Sequence, residues 1–315
     1  MKTFLRPFIS GRACGLLRGM GRSFAVRAGM LALVWALAPL AAQAQIPGLR
    51  SGVGAGGGSG AVVITPQVRA ELLVVAPQGV AAGKPLWAAL QLTHQPHWHT
   101  YWTNPGDSGQ STELQWMLPS GVSAGAVAWP LPQKIWIGRL ANYGYEGTVL
   151  LPVPLQVAHE FRPAADGMLD LRLHANWLVC RRECIPEEGD FHVRLPVGGS
   201  TALHQAALDA ALLRVPADAK GARATARVQP DGLEVSVQGL PQAWRGHTLQ
   251  LFPETAEVLE NGAVLPDAPE PDPARKAPRW TQVWQGGTWT AQLPLSPQRA
   301  AAPAHMPLVL AVSDL

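Results

Sequence analysis

Short hydrophobic runs separated by glycine and proline recur along most of the chain. Segment 86–92 (LWAALQL) is almost continuously apolar, as in a strand buried on both faces, and segment 68–75 (VRAELLVV) alternates in part. The 32 glycines and 29 prolines favour strands and turns over long helices. Further strands are predicted at 112–117, 125–129, 147–155, 168–178 and 190–195. This pattern predicts an all-β fold, with an immunoglobulin-like antiparallel β-sandwich over residues 61–198.

The last third of the sequence predicts a helical connector followed by a second β-sandwich domain. The connector, 199–216, contains a helix at 201–214, with Ser200 as its N-cap and Pro216 beyond its end. The second domain, 217–315, includes a hairpin turn at 285–288 and a proline-rich surface loop at 266–278. Its predicted strands are 233–237, 248–252, 281–284, 289–293 and 307–312.

Residues 1–44 have the three parts of a signal peptide. A basic region extends to Arg27, an apolar stretch covers 30–40, and Ala42-Gln43-Ala44 resembles a cleavage site. The apolar stretch is about half the roughly 20 residues that span a bilayer, although an uncleaved anchor stays an alternative. A flexible Gly/Ser-rich linker follows at 45–60. We therefore expect export to the periplasm, with the protein soluble once the signal is cleaved.

The charge balance argues against nucleic-acid binding despite a pI of about 8.9. Six of the 25 basic residues precede residue 45, where no acidic residue occurs. The remaining 19 basic residues face 22 acidic ones, a net charge of −3. A mildly acidic body binds phosphate poorly, so no nucleic-acid partner is expected.

Two cysteines remain once Cys14 leaves with the signal peptide: Cys180 and Cys184. In an oxidising compartment they are expected to pair, which requires residues 181–183 to form a tight turn. So short a loop gains little from loop closure, about 2 kcal/mol, and flanking arginines favour a reactive thiolate. Arg181 and Arg182 are therefore candidate modulators, partly offset by Glu183. The spacing alone leaves a structural and a redox-active disulfide both open.

Aromatic and histidine residues concentrate between residues 87 and 136, which contain six of the 12 tryptophans. Most of these tryptophans are expected in the core. The segments 104–109 and 142–147 are predicted loops that shield the disulfide or contact a partner, through Asn104, Asp107, Tyr143 and Tyr145. His94, His97 and His99 raise an alternative function in copper binding or copper tolerance, since imidazole suits copper. Without a carboxylate or thiol partner, however, they predict no metal site, and no cofactor is expected.

Five ordered segments together resemble the N-terminal periplasmic region of the DsbD and ScsB protein-disulfide reductases, and are closest to the ScsB-like branch. They are 98–109 (WHTYWTNPGDSG), 129–132 (WPLP), 142–145 (NYGY), 150–153 (LLPV) and 177–186 (WLVCRRECIP). The resemblance covers about 61–198. It implies an immunoglobulin-like module in which Cys180 and Cys184 exchange disulfides, with Cys184 forming the mixed disulfide.

The resemblance also implies partners. They are periplasmic thiol-disulfide proteins, isomerase-like or thioredoxin-like, and a membrane domain that supplies electrons. No multi-helix membrane domain and no thioredoxin-like Trp-Cys-x-x-Cys motif occur in these 315 residues. We therefore expect a relay component of a protein-disulfide reductase: either a fragment or split product of a longer protein, or a standalone module with the membrane domain on another chain. A non-catalytic β-sandwich with a structural disulfide is the remaining alternative.

Overall fold

The computed structural model of the chain describes residues 4–6, 60–274, 276–299 and 303–313. The predicted signal peptide and linker lie outside the described residues, apart from the backbone of Phe4–Arg6 and Gly60. Among the described residues, neither helix has the length and hydrophobicity that a bilayer-spanning helix needs.

Strands dominate the described residues, which confirms the all-β prediction. In chain order the strands are β1 Phe4–Arg6, β2 Val62–Ile64, β3 Val68–Val75, β4 Leu86–His94, β5 His99–Gly106, β6 Glu113–Met117, β7 Val122–Ala124, β8 Gln133–Ile137, β9 Leu140–Glu146, β10 Thr148–Val157, β11 Met168–Cys180, β12 Cys184–Pro196, β13 Ala217–Asp218, β14 Arg223–Gln229, β15 Gly232–Gln238, β16 Leu249–Pro253, β17 Thr281–Gln285, β18 Thr288–Leu293 and β19 Leu308–Val312. The described helices are α1 (Gln205–Leu212) and a single 3₁₀ turn, Gln242–Trp244.

Two antiparallel sheets enclose the first hydrophobic core. One has the strand order β2-β3-β4-β10-β7, and the other has the order β12-β11-β5-β9-β8, with β6 also paired to β11. Leu72 and Leu151 from the first sheet and Leu171 and Trp102 from the second are buried in this core. The arrangement is the predicted β-sandwich.

Two further sheets surround a second core. Their orders are β14-β15-β18-β17 and β13-β1-β19-β16. Val235, Leu249 and Trp289 are buried between them. The predicted hairpin turn at 285–288 is confirmed, because Gln285 pairs with Thr288 across it.

Strand β19 is buried along its whole length because it contributes to both cores. Val309 and Ala311 belong to the first core, whereas Leu308, Leu310 and Val312 belong to the second. Successive side chains of a strand point to opposite faces, so one continuous apolar run packs against both.

The strand predicted at 125–129 is wrong. The regular strand is β7, just before it, and residues 125–132 have no regular structure. The backbone N–H groups of Gly125 and Ala128 donate to the carbonyls of Pro154 and Pro152 in β10. Because proline cannot donate in return, no regular ladder forms there.

The helix is shorter than predicted and Ser200 does not cap it. The hydroxyl of Ser200 donates to the carbonyl of Pro77 at 2.8 Å, and Thr201 exchanges two backbone hydrogen bonds with Ala76, both 2.9 Å. These contacts hold 200–201 against the first sandwich in an extended conformation. Helix α1 therefore begins at Gln205, with His204 as its N-cap.

Candidate functional site

The two cysteines close the tip of the hairpin formed by β11 and β12. These strands pair from Met168 opposite Pro196 to Cys180 opposite Cys184. The cysteines form a disulfide with an S–S distance of 2.08 Å and a Cα–Cα distance of 4.1 Å. The turn between them is fixed by the backbone N–H of Arg181, which donates to the carbonyl of Glu183 at 3.0 Å. The predicted tight turn is thus confirmed, but β12 begins at Cys184 rather than near residue 190.

The two halves of the disulfide differ sharply in exposure. Cys180 is 0% exposed, because it lies between β12 and β5 and opposite His99 of β5. Cys184 is exposed, as are all three residues of the turn. Of the two cysteines, Cys184 is therefore the one that faces solvent.

Strand β5 supplies the neighbours of the disulfide. His99 pairs with Cys180, and Tyr101, two residues further on, lies on the same face of the strand. The Tyr101 hydroxyl oxygen lies 3.8 Å from Cys184 Sγ. Because a disulfide sulfur carries no proton, the hydroxyl is the donor. The rings of His99 and Tyr101 meet edge to face, with centroids 5.2 Å apart.

Burial controls the ionisation of both β5 side chains. Burial lowers the pKa of His99 to about 4, helped by the nearby His94, so His99 is neutral at neutral pH. Burial also raises the pKa of Tyr101, and a side-chain hydrogen bond with Ser108 partly offsets this by lowering it. The environment of the disulfide is therefore uncharged on the β5 side.

The predicted modulators lie on the turn itself. Arg181 is held over the ring of Trp98, with its guanidinium carbon 5.1 Å from the ring centroid. It also lies 3.6 Å from a carboxylate oxygen of Glu183. Arg182 is exposed. The structure therefore brings these three residues to the disulfide.

The segments 104–109 and 142–147 are mostly strand rather than the loops that the sequence predicts, because β5 includes residues 104–106 and β9 includes residues 142–146. Asn104 lies in β5, and Tyr143 and Tyr145 lie in β9. All three side chains are buried, which leaves them no room to act as an exposed cover. Strand pairing between β5 and β9 overrides the turn signals of these segments.

The contacts of the four predicted shielding residues lie away from the cysteines. Asn104 donates to the carbonyl of Pro253 at 2.7 Å, and Tyr145 donates to the carbonyl of Pro130 at 2.7 Å. Asp107 accepts hydrogen bonds from the Ala141 backbone N–H and the Asn261 amide. The ring of Tyr143 packs edge to face on Phe252, with centroids 5.6 Å apart. Three of these four residues thus bind the strands and loops that follow residue 249.

The three candidate metal-binding histidines are not arranged as a site. His97 is exposed at the turn before β5, with φ 69°, so it does not share a strand face with the buried His99. Both ring nitrogens of His94 are engaged, Nδ1 with the Gly147 carbonyl at 2.7 Å and Nε2 with the Thr100 hydroxyl at 3.0 Å. Within the part of the chain that the structure describes, no group of three or more His, Cys, Asp or Glu side chains is placed to hold a metal ion.

Sequence reasoning missed Tyr101 as a neighbour of the disulfide. The prediction placed most tryptophans of this region in the core and treated 104–109 as a loop, although His99 and Tyr101 have the two-residue spacing of a strand face. That spacing is the signal that pointed to β5.

Residues 69–196 match the family described as "Thiol:disulfide interchange protein DsbD, N-terminal". The resemblance is confirmed. These DsbD-like residues include the whole β11–β12 hairpin and its disulfide.

A solved structure shows the same fold. It is the crystal structure of the N-terminal periplasmic domain of ScsB from Proteus mirabilis, with a TM-score of 0.55 and 14% sequence identity. The match covers 80% of this chain and 92% of that chain, so it extends well beyond the DsbD-like residues. At this identity the likeness establishes the fold alone. No curated protein matches the chain.

Proposed function

We propose that this protein is a periplasmic thiol-disulfide exchange module that transfers electrons through Cys180 and Cys184. The observation that carries the proposal is the contrast between the two cysteines: Cys184 is exposed at the hairpin tip, whereas Cys180 is 0% exposed behind it. The DsbD-like match over residues 69–196 supports the same chemistry.

The exchange begins from the reduced pair. The Cys184 thiolate attacks one sulfur of a partner disulfide, so that a Cys184–partner bond forms and the partner's second sulfur leaves as a thiolate and takes up a proton. Cys180 then loses its proton and attacks Cys184 Sγ. The Cys180–Cys184 bond forms and the partner's first sulfur leaves and is protonated. Two electrons and two protons have then moved to the partner.

A dithiol donor must re-reduce the pair. We propose that this donor is a membrane electron-transfer domain on another chain, and that the acceptors are isomerase-like or thioredoxin-like periplasmic proteins. We also propose that residues 61–198 are the redox domain, with 199–216 as a connector and 217–315 as a second β domain. In this scheme the chain is one component of a protein-disulfide reductase.

Trapping of the mixed disulfide tests the proposal. The reduced chain, in a Cys14→Ser background, is mixed with a thioredoxin-like isomerase that keeps only the first cysteine of its active-site pair, activated as a mixed disulfide with 5-thio-2-nitrobenzoate. Cys180→Ala should accumulate a covalent complex that dithiothreitol reverses, because its Cys184 attacks and nothing resolves the product. Cys184→Ala is the matched control and should trap no complex. If neither variant traps the isomerase, or if only Cys184→Ala does, the proposed function is wrong.

A further inference from the structure

The hydroxyl of Tyr101 is directed at the exposed sulfur. Its oxygen lies 3.8 Å from Cys184 Sγ, and the ring behind it is 0% exposed. A tyrosine hydroxyl at this place can donate to a sulfur that carries negative charge, and hydrogen bonds to charged acceptors are stronger than those to neutral ones.

The ring of Tyr101 is held from several sides. His99 packs against it edge to face. The backbone of Gly109 lies so close that a Cβ built there would be 2.2 Å from the Tyr101 ring carbon Cζ. Gly109 has φ +98°, a conformation that favours glycine. The segment after β5 thus folds over the ring and fixes where the hydroxyl points.

The charges around the hairpin tip come from several elements. The turn contributes Arg181, Arg182 and Glu183, and β9 contributes Glu146, which pairs with His99 and is exposed. On β5, His99 is neutral near pH 7. The raised pKa of Tyr101 keeps its hydroxyl protonated in the range in which a thiol titrates.

We propose that Tyr101 is a catalytic residue of the exchange, whose hydroxyl donates a hydrogen bond to Cys184 Sγ whenever that sulfur is a thiolate. The inference rests on the proposed function and adds one side chain to the two cysteines that carry out the exchange. Cys184 carries a negative charge at two stages of the exchange. It does so when it attacks the partner disulfide, and again when a donor dithiol closes its own disulfide and expels Cys184 as the leaving thiolate. Tyr101 stabilises the charge in both steps and keeps its own proton.

The test measures the Cys184 thiol itself and needs no partner protein. Tyr101→Phe removes the hydroxyl and keeps the ring. In the reduced full chain, the rate at which iodoacetamide alkylates Cys184 is followed by peptide mass spectrometry between about pH 5 and pH 10. Tyr101→Phe should raise the thiol pKa and slow alkylation at neutral pH by about five- to tenfold. Tyr145→Phe is the matched control, because it removes a buried hydroxyl that donates to Pro130, and it should leave the rate unchanged.

A second measurement uses the unmutated protein. The chain has three tyrosines, so ¹³Cζ-tyrosine labelling gives three signals, which the two variants assign. The Tyr101 signal should shift with the titration of Cys184 in the reduced protein and not in the oxidised one. Equal alkylation rates in Tyr101→Phe and Tyr145→Phe would overturn the inference. So would a Tyr101 signal that does not shift as the Cys184 thiol titrates. Trapping by Cys180→Ala would still stand in that case, so failure of Tyr101 is distinct from failure of the proposed function.

Discussion

Arg181 lies over the indole ring of Trp98, with the guanidinium carbon 5.1 Å from the ring centroid. The contact joins the turn that closes the disulfide to the residue just before β5. Trp98 is itself buried, at 7% exposure, so the surrounding core holds its ring in place. The contact therefore ties the hairpin tip to the strand that carries His99 and Tyr101.

Arg181→Ala should destabilise the oxidised protein. The loss of a cation–π contact at an exposed site costs about 0.5–1 kcal/mol, and the ion pair with Glu183 adds little at the surface. Urea unfolding measures the difference. Arg182→Ala is the control, since Arg182 is exposed and the structure describes no ion pair or ring contact for it. Equal free energies of unfolding in the two variants would show that the Trp98 contact contributes nothing.

Acidification should destabilise the protein through His99. Its pKa is lowered to about 4 in the folded state, below the value near 6.5 expected in the unfolded chain. As the pH falls from about 6.5 towards 4, the unfolded chain takes up a proton that the folded state rejects. Stability should therefore fall over this range, by at most about 3 kcal/mol from this one group.

The variant His99→Gln isolates that contribution. Its free energy of unfolding should depend less steeply on pH than that of the wild type between about pH 6.5 and pH 4.5. His97→Asn removes an exposed histidine, and asparagine tolerates the positive φ at that position. This control should keep the wild-type slope. A wild-type slope in His99→Gln as well would contradict the buried, neutral state of His99.

Phe252 packs into the first core, although its strand belongs to one of the sheets around the second core. It lies in β16, is 3% exposed, and packs edge to face on Trp102 and Tyr143, with centroids 6.4 and 5.6 Å away. Phe252→Ala should cost about 3–5 kcal/mol, as expected for a buried phenylalanine. The loss should appear in the unfolding of the first sandwich, which is followed by the fluorescence of its tryptophans.

Val283→Ala is the control for this substitution. Val283 is 49% exposed on β17, so its truncation should change the free energy of unfolding by less than about 0.5 kcal/mol. If Phe252→Ala left the first sandwich as stable as Val283→Ala does, packing across the two cores would not stabilise it.

The sequence predicts most strands of the first sandwich correctly because hydrophobic patterning is strong there. The segment 68–75 matches β3, and the predicted segment 168–178 lies within β11. The turn at 181–183 is also correct, since two cysteines four residues apart can pair only if the chain reverses between them.

The sequence fails where turn-forming residues lie inside strands. Asn104, Pro105 and Gly106 end β5, and Gly144 lies within β9, so local preference favours loops in both places. The structure overrides that preference because the two strands pair with each other. At Gly144 a Cβ would lie 2.2 Å from the carbonyl oxygen of Thr100, so glycine permits the close approach of the backbones. Such cross-strand contacts cannot be seen in one sequence.

The sequence also does not show which of the two cysteines is exposed. Cys180 and Cys184 flank one short turn, yet only the structure shows that β5 covers Cys180 and leaves Cys184 open. This difference in burial supports the proposed order of attack, with Cys184 first, which the sequence supplies only through the family resemblance.

The midpoint potential of the Cys180–Cys184 couple tests the redox claim most directly. The Cys14→Ser chain is equilibrated in thiol–disulfide buffers at pH 7 and the fraction of oxidised pair is read by alkylation and mass spectrometry. An exchanging pair should have a midpoint potential above about −300 mV and should equilibrate readily with the buffer. A potential below about −300 mV, with the bond resistant to mild reductants, would show that the disulfide is only structural.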